Sequence, residues 1–215
     1  MSTAVPDALF FDVDGVLIDS MSIKEEIFVQ VFSDIPDSDG LVRSFHRVHG
    51  GLNREVKIRR LLELLTLNAP TDSEVRERVN VFSSSIEGEI QRASLMPGIC
   101  DVLNSWSERI ALYAVSATPT DELHSLFASM ELLHFFKGVR GWPPGKAELL
   151  TQTIRANDFN SSRCILIGDS QEDREAALLA GVHFMHYGHC EVDVCGNAHN
   201  HFFHWGSFDD AMPQL

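Results

Sequence analysis

The strongest constraint on this chain lies near its start, where Ala8-Leu9-Phe10-Phe11 runs straight into Asp12-Val13-Asp14-Gly15-Val16-Leu17. An apolar run without alternation describes a strand buried on both faces, the kind found inside a parallel sheet covered by helices on each side. In open sheets of this type ligands bind beyond the carboxyl ends of the strands. Asp12 and Asp14 therefore stand where chemistry is expected. Two carboxylates this close repel, and keeping both ionised calls for a cation or a basic side chain nearby. The rest of the chain can be searched for what supplies that partner.

Beyond Leu17 the periodicity changes to that of helices. Ile23, Ile27 and Val31 fall on one stripe over 22–35, with Phe28 and Phe32 beside it, until Pro36-Asp37-Ser38-Asp39-Gly40 breaks the pattern. Further helices are predicted over 41–48, from near Asn53 through Ile58, Leu61, Leu62 and Leu65, and from Thr71 through Val75, Val79, Phe82, Ile86 and Ile90. From Met96-Pro97-Gly98 onward, strands alternate with helices. A helix over 99–108 precedes a strand over 110–115 that ends at Ser116. A helix over 119–130 follows, with Thr118 as its cap, Pro119 at its first position and Asp121 completing a capping-box-like pattern. A short strand near Gly138-Val139-Arg140 leads through Trp142-Pro143-Pro144-Gly145 to a helix starting at Lys146. Cys164-Ile165-Leu166-Ile167 is the next strand, then come Gly168-Asp169-Ser170, a helix to Ala180 and a strand over 182–187.

Such alternation implies an α/β fold with a parallel sheet and right-handed crossovers. One strand precedes the helical block and the others follow it. The simplest division is an α/β core made of 1–18 and 94–215, with an all-helical cap of 19–93 inserted after the first strand.

Charge narrows the classes of partner. With 17 Lys and Arg against 31 Asp and Glu, the formal net charge of -14 argues against nucleic acid, whose phosphates attract basic surfaces. A small anion held by a local positive site remains compatible. The mean hydropathy of -0.04, the lack of a membrane-length apolar tract and the lack of a basic leader predict a cytoplasmic protein without a membrane partner. Cys100, Cys164, Cys190 and Cys195 are too few and too scattered for a disulfide framework and are expected to be free, mostly buried thiols. The segment with Cys190, Cys195, His199, His201 and His204 invites a zinc reading. Its spacing matches no regular ligand pattern, so a solvent-facing loop before a final helix near 207–211 is expected instead.

Four strand ends deliver polar groups: Asp12 and Asp14 after the first, Ser116 after the second, Lys146 after the third, Asp169 and Asp173 after the fourth. Strand ends of a parallel sheet share one edge, so these residues can converge. Each alone is ordinary, since an Asp at a strand end is commonly a helix cap. Lys146 sits in the first turn of a helix, where the helix dipole opposes a cation. Anions beyond the helix end would compensate it, or the lysine is simply solvated. Four carboxylates against one lysine leave excess negative charge. Oxygen-only ligands with room for a phosphate describe Mg²⁺ better than zinc. Asp12 and Asp169 are the foremost ligand candidates, Asp14 contributes a main-chain carbonyl, and Asp173 stands behind them.

In order and wording, Asp12-Val13-Asp14-Gly15-Val16-Leu17, the strand-ending Ser116, the helix-opening Lys146 and Gly168-Asp169-Ser170-Gln171-Glu172-Asp173 resemble the four motifs of the haloacid dehalogenase-like superfamily. The insertion after the first motif looks like that superfamily's α-helical C1 cap, as in its phosphoglycolate phosphatase and beta-phosphoglucomutase branch. The resemblance implies a Rossmann-like core and a set of roles. Asp12 would attack phosphorus and form an aspartyl-phosphate, and Asp14 would protonate the leaving oxygen and then activate water. Ser116 and the backbone amides of Ala117 and Thr118 would hold phosphoryl oxygens, while Lys146 and Mg²⁺ offset charge. Dehalogenase members lack an acid at the place of Asp14, so phosphoryl transfer is favoured over carbon–halogen cleavage.

In the cap, Gly50-Gly51-Leu52-Asn53-Arg54-Glu55 resembles the loop that related enzymes present to substrate. Arg54 could bind a carboxylate or second phosphate, or could merely pair with a helix acid. His46, His49 and Lys57 are weaker candidates. The expected activity is a Mg²⁺-dependent phosphatase acting on a small phosphorylated metabolite. A phosphomutase is the nearest alternative, and a receiver-like or noncatalytic phosphate-binding module is more remote, because a receiver would have no cap and would place its phosphoacceptor after an inner strand.

Overall fold

The computed structural model describes residues 5–188, 201–202 and 204–213. In chain order, strand β1 (Ala8–Phe11) is followed by helices α1 (Met21–Val31), α2 (Asp39–Val48), α3 (Arg54–Thr66) and α4 (Asp72–Glu89). Next come α5 (Ile99–Ser107), β2 (Ala111–Pro119), α6 (Thr120–Ser129), β3 (Gly138–Trp142), α7 (Lys146–Ala156), β4 (Cys164–Gly168), α8 (Gln171–Ala180) and β5 (His183–Tyr187). The short strand β6 (His201–Phe202) and helix α9 (Phe208–Ala211) end the described chain. The chain divides into two compact units, Met1–Ile18 with Leu95–Leu215, and Asp19–Ser94.

The first unit is a Rossmann-like α/β fold around a parallel sheet of order β3-β2-β1-β4-β5-β6 among the described residues. β1 is central, with Phe10 in register with Tyr113 of β2 on one side and Leu166 of β4 on the other. Its four residues are fully buried, which is why this segment is apolar without alternation. Helices α7 and α8 bring Leu149, Leu150, Ile154, Ala176 and Ala177 into a core with Phe10, Tyr113, Val115 and Leu166. Strand order reverses at β1, so the loops after β1 and β4 flank the crevice in which such sheets bind ligands.

Two parts of this unit differ from the sequence reading. The helix expected to start at Pro119 under a Thr118 cap begins at Thr120, with Pro119 at its N-cap and no capping hydrogen bond from a side chain. β2 instead runs on to Pro119 through an irregularity, which turns Thr118 toward Asp14 and leaves Thr120 to tie the helix start to β3. The region before α9, expected as a loop, contains β6, whose Phe202 is buried against Tyr187 with ring centroids 5.1 Å apart. Cys190, Cys195 and His199 lie outside the described residues, as does the question of a metal there. Cys164 is a buried free thiol, pushed up to about 12 by burial, whereas Cys100 is free but exposed rather than buried.

The second unit is all-helical. α1 to α4 enclose Ile27, Phe28, Phe32, Val42, Ile58, Leu61, Phe82 and Ile86. α4 starts with a reciprocal capping box, in which Glu74 N–H donates to Thr71 Oγ1 at 3.3 Å and Thr71 N–H donates to Glu74 Oε2 at 2.7 Å. Asn53 caps α3 by accepting from the Val56 amide at 3.0 Å. Within this core Lys57 and His46 are both 2 % exposed, with Lys57 Nζ 3.1 Å from His46 Nδ1 and also donating to the Gly50 carbonyl at 3.3 Å. Burial, then the nearby Lys57 and Lys24 charges, lower the His46 imidazole to about 3. It is thus neutral near pH 7 and accepts from Lys57.

Candidate active site

The site grows from the end of β1. The Asp12 amide donates to the Ile167 carbonyl of β4 at 2.8 Å, continuing the sheet's bonding for one residue beyond the strand. This places the Asp12 side chain, almost wholly buried, at the crevice between the two halves of the sheet. Lys146 opens α7 and donates from Nζ to Asp12 Oδ1 at 2.7 Å and to Asp173 Oδ1. The anions expected beyond that helix end are therefore these two carboxylates.

Asp173 is held from its other side as well. Its Oδ2 accepts from the Ser170 hydroxyl at 2.6 Å and the Ser170 amide at 3.2 Å, while its own amide donates back to Ser170 Oγ at 3.2 Å. This is a capping box at the head of α8, with Asp173 serving as both cap partner and Lys146 acceptor. Gly168 makes the packing possible, since a Cβ there would lie 2.5 Å from Asp173 Cβ and Cγ. The Ser-x-x-Asp spacing from Ser170 to Asp173 is itself a capping signal in the sequence.

Asp12, Asp169 and Asp173 each offer a carboxylate oxygen within 4.8 Å of the others. Burial, then the charges of Asp173 and Asp14, push the Asp12 carboxyl up to about 7 despite Lys146. The Asp169 carboxyl is likewise raised, by burial and then by Asp12 and Asp173. Lys146 is held protonated because Asp12 and Asp173 outweigh the burial that disfavours its charge. Two buried carboxylates, the partly exposed Asp169 and one ammonium are short of positive charge, and the carboxylate donors are all oxygen. Such a donor set fits a hard divalent cation. Asp12 and Asp169 are the residues that could hold it, since Asp173 has both oxygens committed to Lys146 and Ser170.

A second group lies at the end of β2. Ser116 is buried, and its Oγ accepts from the Thr118 amide at 3.0 Å. Thr118 Oγ1 donates to Asp14 Oδ2 at 3.5 Å, joining the loop after β1 to the end of β2, with Ala117 between Ser116 and Thr118. β3 closes on this end of β2 because residue 141 is glycine; a Cβ there would lie 2.0 Å from the Thr118 carbonyl. Arg54 belongs to the helical unit, where its guanidinium lies 5.0 Å from the Phe82 ring and donates to Ser83 Oγ at 2.7 Å.

The arrangement of strand-end carboxylates, lysine and serine is accompanied by a family match. The model of the haloacid dehalogenase-like hydrolases covers residues 6–181, and the chain belongs to that family. Among curated relatives, the 6-phosphogluconate phosphatase of Escherichia coli is 24% identical over 209 residues, spanning 90% of this chain and 85% of that protein. The phosphoglycolate phosphatase of Pseudomonas savastanoi is 23% identical over 188 residues, spanning 83% of this chain and 68% of that one. A solved haloacid dehalogenase-like hydrolase from Streptococcus pneumoniae shares the fold with a TM-score of 0.73 at 24% identity, over 94% of each chain. The family is one of hydrolases, and both curated relatives are phosphatases.

Proposed function

We propose that this hydrolase is a Mg²⁺-dependent phosphatase of small phosphorylated metabolites that works through an aspartyl-phosphate. The observation that carries the reading is the convergence of Asp12, Lys146, Asp169 and Asp173 from three separate strand ends into one cluster.

In this reading Lys146 fixes one oxygen of Asp12, and the other attacks phosphorus as the bond to the leaving oxygen breaks. Asp14 gives that oxygen a proton. It then takes one from the water that attacks the aspartyl-phosphate, which returns Asp12 as a carboxylate and releases phosphate. Ser116 and the amides of Ala117 and Thr118 hold phosphoryl oxygens, the Thr118 amide exchanging its bond to Ser116 for one to substrate. Asp12, Asp169 and the Asp14 main-chain carbonyl would hold Mg²⁺, with Asp173 behind them. The ion would supply charge neutralisation for phosphate entering among carboxylates.

The unit Asp19–Ser94 would act as a cap with Arg54 as a substrate-binding residue. Both named relatives carry substrates that combine a phosphate with a carboxylate, which supports a phosphorylated organic or sugar acid as substrate. Both are also phosphatases, so the phosphomutase reading is not favoured. A cytoplasmic setting accords with the free Cys100 and Cys164 thiols. No helix among the described residues is long and apolar enough to cross a membrane.

The test is phosphate release from a phosphate ester with and without Mg²⁺, in the natural chain and in Asp12→Asn. Turnover is expected only with Mg²⁺ and only in the natural chain. Unchanged activity in the variant would sink the mechanism.

A further inference from the structure

The chain's last described segment reaches back to the turn that carries Asp14. Trp205 is 1 % exposed, and its indole N–H donates to the Val16 carbonyl at 3.2 Å across 189 residues of sequence. Val16 lies in a tight turn closed by bonds from the Leu17 and Ile18 amides to the Val13 carbonyl, both 3.0 Å, and from the Gly15 amide to the Ile18 carbonyl at 2.8 Å. Gly15 adopts a φ of 79° in that turn, a conformation glycine takes readily. The turn is itself buried, with Val13, Val16, Leu17 and Ile18 all inaccessible to solvent.

The indole is gripped from several sides. Its ring centroid lies 4.9 Å from Tyr187, 5.1 Å from Phe202, 5.5 Å from Phe208 and 5.9 Å from Phe11, the residue before Asp12. α9 is anchored separately, by Trp106 Nε1 donating to Asp209 Oδ1 at 2.8 Å. Trp205 thus touches the catalytic strand through Phe11 and the following turn through Val16, two residues beyond Asp14.

We propose that Trp205 is a positioning residue for Asp14, its indole N–H fixing the peptide at Val16 and with it the turn from which the Asp14 carboxyl is presented. The inference rests on the reading of Asp14 as the proton carrier. It assigns the C-terminal segment a part in proton delivery to the leaving oxygen, in addition to its part in packing.

Trp205→Phe retains an aromatic ring but has no N–H. Its kcat/KM is to be compared with that of the natural chain on an aryl phosphate, whose leaving group needs little protonation, and on an alkyl phosphate, whose leaving group needs it. The alkyl-to-aryl ratio of kcat/KM is expected to fall about tenfold, a fraction of what general acid catalysis contributes. Because both esters sample the same folded molecules, the ratio is insensitive to partial unfolding. Trp106→Phe, which loosens the same segment through Asp209, is expected to leave the ratio unchanged. Equal losses on both esters, an unchanged ratio in Trp205→Phe or the same shift in Trp106→Phe would each overturn the proposal. A natural chain inert toward both esters would instead refute the phosphatase reading, and this inference with it.

Discussion

Lys146→Met tests the electrostatic account of the site without adding or removing much volume. In the natural chain the Lys146 side chain is 9% exposed and bridges Asp12 and Asp173, whose side chains are 6% and 0% exposed. Removing one partner of a buried ion pair costs about 3–5 kcal/mol, because the remaining charge loses its compensation. Here two carboxylates are left facing each other. The α/β unit should therefore lose about 3–5 kcal/mol of stability. At about 2–4 °C per kcal/mol for a chain of this size, that is a fall of roughly 6–20 °C in its unfolding midpoint.

All three tryptophans, Trp106, Trp142 and Trp205, belong to the α/β unit, so their fluorescence in urea follows that unit separately from the helical one. Chelator in the buffer prevents adventitious metal from masking the loss. Adding Asp173→Asn to Lys146→Met removes one of the opposed charges and should recover about 1–3 kcal/mol, the range of coupling between contacting groups. A loss below about 1 kcal/mol in the single variant, or a double variant no more stable than the single, would refute the account.

Two further expectations follow from packing and titration. Gly168→Ala drives a methyl into Asp173, which Lys146 and Ser170 prevent from yielding; it should cost about 1–3 kcal/mol and most of the activity. Gly88→Ala in α4 meets nothing within 4 Å and should instead stabilise by about 0.5–1 kcal/mol, so urea midpoints of opposite sign check both. The His46 imidazole, lowered to about 3 by burial and then by Lys57 and Lys24 against the opposing charge of Glu25, stays neutral in the folded state while an unfolded histidine protonates near 6.5. The helical unit therefore keeps this contribution above pH 6.5 and loses it as pH falls toward 3. By pH 5 the loss is about 2 kcal/mol. Circular dichroism in urea at pH 7 and pH 5 should show a smaller drop for His46→Gln, and equal drops would dismiss the role.

The fold was legible wherever burial left a regular trace. β1 and β4 are apolar throughout because both faces are covered, and the helical unit shows its inward stripe at three- and four-residue spacing. Residues at strand ends could be proposed as a cluster because a parallel sheet aligns those ends. The bond from Lys146 to Asp173 could not be read, since it depends on how α7 packs beside α8. Thr118 misled because a threonine before a proline looks like a helix cap, whereas its hydroxyl is directed to Asp14 from another strand. β6 has two residues and no periodicity to detect, and the Trp205 bond to Val16 joins the two ends of the chain.

The central position of β1 has a consequence for how the chain is made. Residues 8–11 pair with residues 111–114 and 164–167, so this strand has no partner until residue 114 has been made and no second one until residue 167. The helical unit is one continuous segment with its own core and needs nothing from later sequence to begin folding. At about 5–20 residues per second, β1 waits roughly 8 to 30 s on the ribosome for β4. Until β2 is made the four adjacent apolar residues are unpaired, and until β4 is made one edge stays open; Asp12 and Asp14 give that segment charge that resists association with its neighbours.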